Sequence, residues 1–282
     1  MNHLIAEINP VAFSLGGLEI AWYGILIGLG IIIAMSLASN EGDRKGMPNE
    51  FVIDMAFWAV PIAIVGARIY YVIFEWQYYL EHPEQIIQIW NGGIAIYGAL
   101  LAGGITVYFF TKKKNVPFYL ALDILAPGVL VAQAIGRWGN FINQEAHGTE
   151  VTRTFLENLF LPEFIINQMN INGTYYHPTF LYESLWSFIG FIVILILRRQ
   201  SKTLREGEVF LTYVMWYSFG RFFIEGMRTD SLYLFDVIRV SQLLSVVLFI
   251  AAAAIWVYRR YNNYPKDPFY TEINLGMNQK SK

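Results

Sequence analysis

The sequence predicts an all-α polytopic membrane protein: seven transmembrane helices, the N-terminus outside, the C-terminus in the cytoplasm and a small outer-face cap. Three observations predict it. Hydrophobic residues make up 55% of the 282 residues and aromatics 17%, while charged residues reach only 15%, against roughly 25% in an average soluble protein. Apolar runs of about 17–23 residues recur seven times, each long enough for a hydrocarbon core about 30 Å thick. Lys and Arg concentrate in alternate connections between those runs.

The same composition excludes other classes. So apolar a chain is not disordered. A net charge of −2 gives no positive field for nucleic acid. With no cysteine, the chain has no disulfide, thiolate metal site or cysteine nucleophile. The four histidines, His3, His82, His147 and His177, stand at no metal-ligand spacing, and neither H-E-x-x-H nor a glycine-rich phosphate loop appears.

Taken in order, the first ten residues hold Glu7 but no Lys or Arg, so the basic start of a secretory signal is missing and the run at about 18–39 reads as a retained helix. Further runs lie at about 51–74, 93–111, 118–136, 180–198, 208–225 and 237–258, each helical because lipid satisfies no backbone polar group. Alternate connections carry Arg44 and Lys45; Lys112, Lys113 and Lys114; Arg198, Arg199, Lys202 and Arg205; and Arg259, Arg260, Lys266, Lys280 and Lys282. The other side carries only Arg137, Arg153, Arg221, Arg228 and Arg239. The positive-inside rule puts the first set in the cytoplasm. Residues 75–92, with Trp76, Tyr78, Tyr79 and Trp90, suit an interfacial belt. Residues 137–179 are too apolar for a free linker and predict a folded cap or interfacial arm at about 146–178. The membrane domain is expected over 1–262, with a short cytoplasmic tail over 263–282.

The outer arginines stand where topology disfavours them, and two sit in dense polar clusters. Gly136-Arg137-Trp138-Gly139-Asn140-Phe141-Ile142-Asn143-Gln144-Glu145 ends the fourth run. A continuing helix would put Arg137, Asn140 and Gln144 on one face. A guanidinium with neutral amide donors suits a phosphate head group; a capped helix end at the water interface is the plainer alternative. Tyr217, Arg221, Glu225 and Arg228 fall on one helical stripe, either a functional site or an ion pair joining helices. Gly92, Gly93 and Gly98 bracket Tyr97, whose hydroxyl enters a cavity or whose ring packs between helices. Arg68 lies about 9 Å inside its run, where it snorkels or pairs. Trp22-Tyr23-Gly24 reads as belt packing, and His177-Pro178-Thr179 as a helix start.

Together these motifs resemble the bacterial phosphatidylglycerol–prolipoprotein diacylglyceryl transferases. The run at 136–145 looks like that family's signature. Trp22-Tyr23-Gly24, the Gly-Gly-Ile-Ala-Ile-Tyr-Gly run at 92–98, His177-Pro178-Thr179 with Leu181-Tyr182-Glu183, and the Arg221/Glu225/Arg228 segment also match, in order, over roughly residues 9–260. The resemblance implies a bacterial plasma-membrane enzyme without metal or cofactor. It would move the diacylglyceryl group of phosphatidylglycerol to the lipobox cysteine thiol of a prolipoprotein signal peptide, forming a thioether and releasing glycerol phosphate. It implies Arg137 and Arg221 as the essential arginines. Asn140, Glu145 and Gly148 match signature positions, and Tyr23, Tyr217 and Glu225 match residues lining its cavities. Asn143, His147 and Arg68 complete the expected substrate contacts. Many members carry histidine where Tyr97 stands, which leaves the base open among Tyr97, Glu145 and His147. In this reading the arginines stabilise the phosphate charge that develops as the leaving group departs, and cationic surroundings favour the thiolate. The rival reading is a transporter or lipid scramblase built on the same buried charges.

Overall fold

The computed structural model describes residues 8–229, 233–234, 237–262 and 268–278. Its helices are α1 (Trp22–Arg44), α2 (Phe51–Phe74), α3 (Trp76–Glu81), α4 (Ile96–Lys114), α5 (Phe118–Ile142), α6 (Arg153–Asn158), α7 (Glu163–Gln168), α8 (Thr179–Leu197), α9 (Glu208–Glu225) and α10 (Val240–Tyr261). The strands are short: β1 (Val11–Leu15), β2 (Leu18–Ala21), β3 (Glu150–Val151), β4 (Asn170–Ile171), β5 (Thr174–Tyr176), β6 (Tyr233–Leu234) and β7 (Ile238–Arg239).

Five helices, α1, α2, α5, α8 and α10, are long and apolar enough to cross a membrane. The third and sixth apolar runs also fold as helices, α4 and α9, but α4 ends on Lys112, Lys113 and Lys114, and α9 carries Glu208, Arg221 and Glu225. The first helix starts at Trp22 rather than near Leu18, because Leu18–Ala21 pairs antiparallel with Val11–Leu15 in a hairpin. The fourth run continues to Ile142, which keeps Arg137 and Asn140 on helical backbone.

The chain divides into two compact units, residues 1–37 with 123–273 and residues 38–122 with 274–282. In the first, residues 143–178 form a small lobe: α6, α7 and a three-stranded sheet ordered β3-β5-β4. Its core joins Leu156, Ile165, Ile166 and Met169 to Phe141 on α5 and Phe180 on α8. Gln168, 3% exposed, donates to the carbonyls of Phe141 and Ile142 at 3.3 and 3.0 Å. It thereby caps the end of α5, whose last carbonyls lack helical partners. Arg153 holds the lobe's surface, donating to Glu157 at 2.8 Å and Glu163 at 2.5 Å. That contact holds the Glu163 carboxyl below its ordinary range.

In the second unit α2 and α4 cross tightly at two glycines. A Cβ on Gly66 would lie 2.8 Å from the Gly98 carbonyl oxygen, and one on Gly98 would lie 2.4 Å from the Gly66 carbonyl oxygen, so only glycine permits this approach. The last described residues pack here too: Leu275 and Met277 donate backbone N–H to the carbonyls of Lys45 and Gly46 at 2.8 and 2.7 Å.

Candidate active site

Three helices of the first unit, α5, α8 and α9, bring Arg137, Glu183, Arg221 and Glu225 together. Glu183 sits at the centre, its side chain 7% exposed. Its Oε2 lies 2.6 Å from Arg137 Nε and its Oε1 accepts from Arg221 Nη1 at 2.6 Å. Arg221 Nη2 stands 2.5 Å from Glu225 Oε2, one helical turn on, as an ion pair rather than an aligned hydrogen bond. Arg137 Nη1 donates to Asn140 Oδ1 at 3.4 Å, and Asn140 Nδ2 donates to Glu145 Oε1 at 2.8 Å. A continuous polar chain thus runs from exposed Glu145 to buried Glu225.

The local sequence explains the placement. Arg137 and Asn140 are three apart near the end of α5, and Tyr217, Arg221 and Glu225 are four apart on α9, so each set shares a helical face. Glu183 lies one turn inside α8. Tryptophan pairing holds α8 to α9 next to it. The Trp186 and Trp216 rings stack at 4.5 Å, and each indole N–H donates to the other residue's backbone carbonyl at 2.9 Å. Trp138 on α5 donates to Ser184 Oγ at 3.2 Å.

Electrostatically the arginines are not bare cations. Two guanidiniums meet two carboxylates, so the four groups balance. This weakens the expectation that unpaired positive charge would lower a thiol's pKa. Yet among the described residues Arg137 Nη2 and Arg221 Nε enter no hydrogen bond, and the two side chains remain 22% and 15% exposed. Two pre-oriented N–H edges are therefore available to an anion, without the cost of an isolated buried charge.

The remaining expected residues divide. Tyr23, on α1, packs over Gly139, where a Cβ would fall 2.4 Å from its ring; this sets it beside the Arg137–Asn140 turn. Tyr217 stacks on Tyr213 at 6.2 Å, and Tyr213 accepts from Gln133 at 3.3 Å. Asn143 is exposed just beyond α5. Gln144 leaves the Arg137 face because its φ is 54°, and its amide donates to the Gln168 carbonyl at 2.9 Å. Gly148 serves the backbone. Its N–H donates to the His177 carbonyl at 3.0 Å, and a Cβ would meet His177 Cβ at 2.6 Å. The His147 ring packs at a tilt against that of Tyr176, centroids 4.1 Å apart. His177 faces the Tyr182 hydroxyl at 3.2 Å, and burial pushes its imidazole below its usual pKa.

Arg228 lies beyond α9, which ends at Glu225, and bridges to Gly148, so the four-residue stripe stops at three. Arg239 donates to the Gly226 carbonyl at 2.5 Å, capping α9. Tyr97 and Arg68 belong to the second unit. Tyr97 is half-buried, its ring 6.4 Å from that of Tyr70. Arg68, 6% exposed, donates to the carbonyls of Gln85, Ile86, Gly92 and Gly93 at 2.6–2.8 Å. Nε, Nη1 and Nη2 are all engaged, which makes it the holder of that loop instead of the expected substrate contact.

Sequence reasoning missed Glu183 as a site residue, although the tripeptide Leu181-Tyr182-Glu183 was in view. The signal was an acidic residue one turn inside an apolar helix, where an ionised group needs a partner.

The profile of the prolipoprotein diacylglyceryl transferase family matches residues 10–258. The chain is 58% identical over 259 residues to the phosphatidylglycerol–prolipoprotein diacylglyceryl transferase of Lactobacillus acidophilus, 92% of each chain. It is 56% identical over 261 residues to the enzyme of that name from Bacillus licheniformis, 93% of this chain and 96% of the other. With that of Listeria innocua it shares 52% over 282 residues, the full length of both.

Proposed function

The chain belongs to the prolipoprotein diacylglyceryl transferase family, and from that premise we propose how its paired arginines serve the reaction. The protein is a transferase of lipoprotein maturation, moving the diacylglyceryl group of phosphatidylglycerol to a prolipoprotein. It is a mostly helical membrane protein. The finer reading is seven crossings in the bacterial plasma membrane, N-terminus outside, with the 143–178 lobe on the outer face above the arginine cluster.

The acceptor is the lipobox cysteine thiol of the signal peptide. Its sulfur attacks the glycerol carbon that bears the phosphate ester. A C–S bond forms, the C–O bond breaks, and its electron pair leaves on the oxygen of glycerol phosphate. Charge grows on that phosphate, and donors aimed at developing charge in a water-poor site supply the largest catalytic effect. Arg137 Nη2 and Arg221 Nε are those donors. Glu183 holds both guanidiniums and fixes their orientation before substrate arrives. The thiol proton must also leave. Of Tyr97, Glu145 and His147, Glu145 is joined to the arginines through Asn140, which favours it as the acceptor. Tyr23, Tyr217, Asn140 and Asn143 line the approach.

The observation that carries this reading is one carboxylate bridging two arginines at 2.6 Å on each side. The test is reconstitution in phosphatidylglycerol liposomes with a signal peptide containing its cysteine, read by mass spectrometry. A gain of one diacylglyceryl group that disappears with a Cys→Ser peptide and with Arg137→Ala is expected. Modification that persists in Arg137→Ala overturns the site, and flux across the liposome with no modified peptide returns the transporter reading.

A further inference from the structure

The second unit, which holds none of the residues of the arginine cluster, carries a groove of its own. Beyond the tight Gly66–Gly98 crossing, α2 and α4 leave between them a groove of about 560 Å3. One wall is the α2 stripe Asp54, Trp58 and Ile62; the other is the α4 stripe Ile105, Phe109 and Lys113, with Thr106, Phe110 and Lys114 beside it. The residues recur at spacings of four, so each wall is a single helical face. At one end of the groove the rings of Phe51 and Phe110 meet at 5.4 Å and Lys114 pairs with Asp54 at 3.0 Å.

Its polarity is graded. Trp58, Ile62, Ile105 and Phe109 are 56%, 41%, 57% and 61% exposed, an apolar trough with no protein cover among the described residues. The charge is all at one end. Asp54 neutralises Lys114, which leaves Lys112 and Lys113 exposed at the last turn of α4. From Ile105 to Lys113 the helix rises about 12 Å, so the apolar floor and the ammonium groups lie within the reach of a single lipid molecule.

We propose that this groove binds one anionic glycerophospholipid of the surrounding membrane. An acyl chain lies along Trp58, Ile62, Ile105 and Phe109, and the phosphate rests on Lys113 and Lys112. Charge complementarity selects the occupant: the walls suit any lipid tail, but an excess of lysine at one end suits an anionic head group. The lysines belong to the connection that the Lys/Arg distribution puts in the cytoplasm, so the ligand comes from the inner leaflet. The groove shares no residue with the arginine cluster, so the proposal does not depend on the catalytic reading.

The test uses the full chain purified in detergent, with native mass spectrometry of retained lipid. The probe is phosphatidic acid, with phosphatidylcholine as the uncharged-head-group control. Lys113→Gln is expected to weaken phosphatidic acid retention about fivefold. Ile62→Trp, which fills the trough and leaves every charge in place, should weaken it as well. Lys202→Gln removes an equal charge elsewhere and should leave retention unchanged. Equal loss in Lys202→Gln and Lys113→Gln, equal retention of phosphatidylcholine, or undiminished retention in Lys113→Gln overturns the proposal. Lys113 is exposed, so its substitution leaves the packing of both helices intact and the result decisive even if Ile62→Trp folds poorly.

Discussion

The two ends of α5 handle buried charge in opposite ways. Near its start, Asp123 is 0% exposed and accepts the backbone N–H groups of Gly207 and Phe210 at 2.6 and 2.8 Å. It caps the first turn of α9, where four N–H groups lack helical partners. Beside it Glu208, 1% exposed, receives Arg260 Nε and Nη2 at 2.7 and 2.6 Å and the Arg205 N–H at 2.8 Å. Roughly 21 Å along the same helix, Arg137 shares Glu183 with Arg221. At the Asp123 end, every carboxylate oxygen of Asp123 and Glu208 is taken up by backbone N–H groups or by Arg260. At the Arg137 end, one carboxylate serves two arginines that each keep an open N–H edge. Buried charge whose bonding capacity is filled is scaffold; buried charge held in place with donors to spare is a site.

The contrast can be broken most strongly at Arg137 and Arg221. Arg137→Ala should cut transfer by about 10³-fold in the liposome assay while circular dichroism keeps its helical signal. Retained activity would put Arg137 in the same class as Arg260. Glu183→Gln keeps shape but loosens both guanidiniums, and a loss of about 10²-fold is expected from misplacement alone. The fall should appear in kcat more than in KM for phosphatidylglycerol.

At the other end the same kind of change should affect stability. Asp123→Ala leaves two N–H groups buried without acceptors, a destabilisation of about 2–4 kcal/mol, read as a lower thermal midpoint in detergent. The specific activity of the protein that stays folded should be unchanged; a selective loss of activity would erase the distinction between the two ends.

The smallest expected effect is in the lobe. Because Arg153 holds Glu163 below its ordinary pKa of 4.5, the unfolded lobe binds the proton more readily. The contact therefore stabilises fully above pH 4.5 and is lost as pH falls through the lower folded value. Limited proteolysis between residues 153 and 163 should accelerate in that acid window. Glu163→Gln should abolish the dependence.

Long apolar runs made the helices readable in sequence: α2 and α9 keep the expected bounds, while α4 and α10 each run about three residues later, at Ile96–Lys114 and Val240–Tyr261. The hairpin Val11–Ala21 delayed α1, and Gln168, capping from 26 residues away, helped carry α5 on to Ile142. The two arginine clusters were also legible, since charge inside apolar sequence is conspicuous. Their division of labour was not. Arg68, Arg137, Arg153, Arg221 and Arg239 look alike in one dimension, yet three of them hold loops, a lobe or a helix end.

The sequence by itself determined that this chain is a helical membrane protein, the family to which it belongs, and that Arg137 and Arg221 stand in polar company. Those properties depend on composition and on neighbours within a few residues, which the chain's own covalent order fixes. Only the tertiary structure decided that Glu183 links the two arginines, that Arg68 serves a loop and that Gln144 leaves the site. Each of these rests on which donor meets which acceptor within about 3 Å. For partners 38 residues apart, like Arg221 and Glu183, that is set by the packing of whole helices and leaves no local mark.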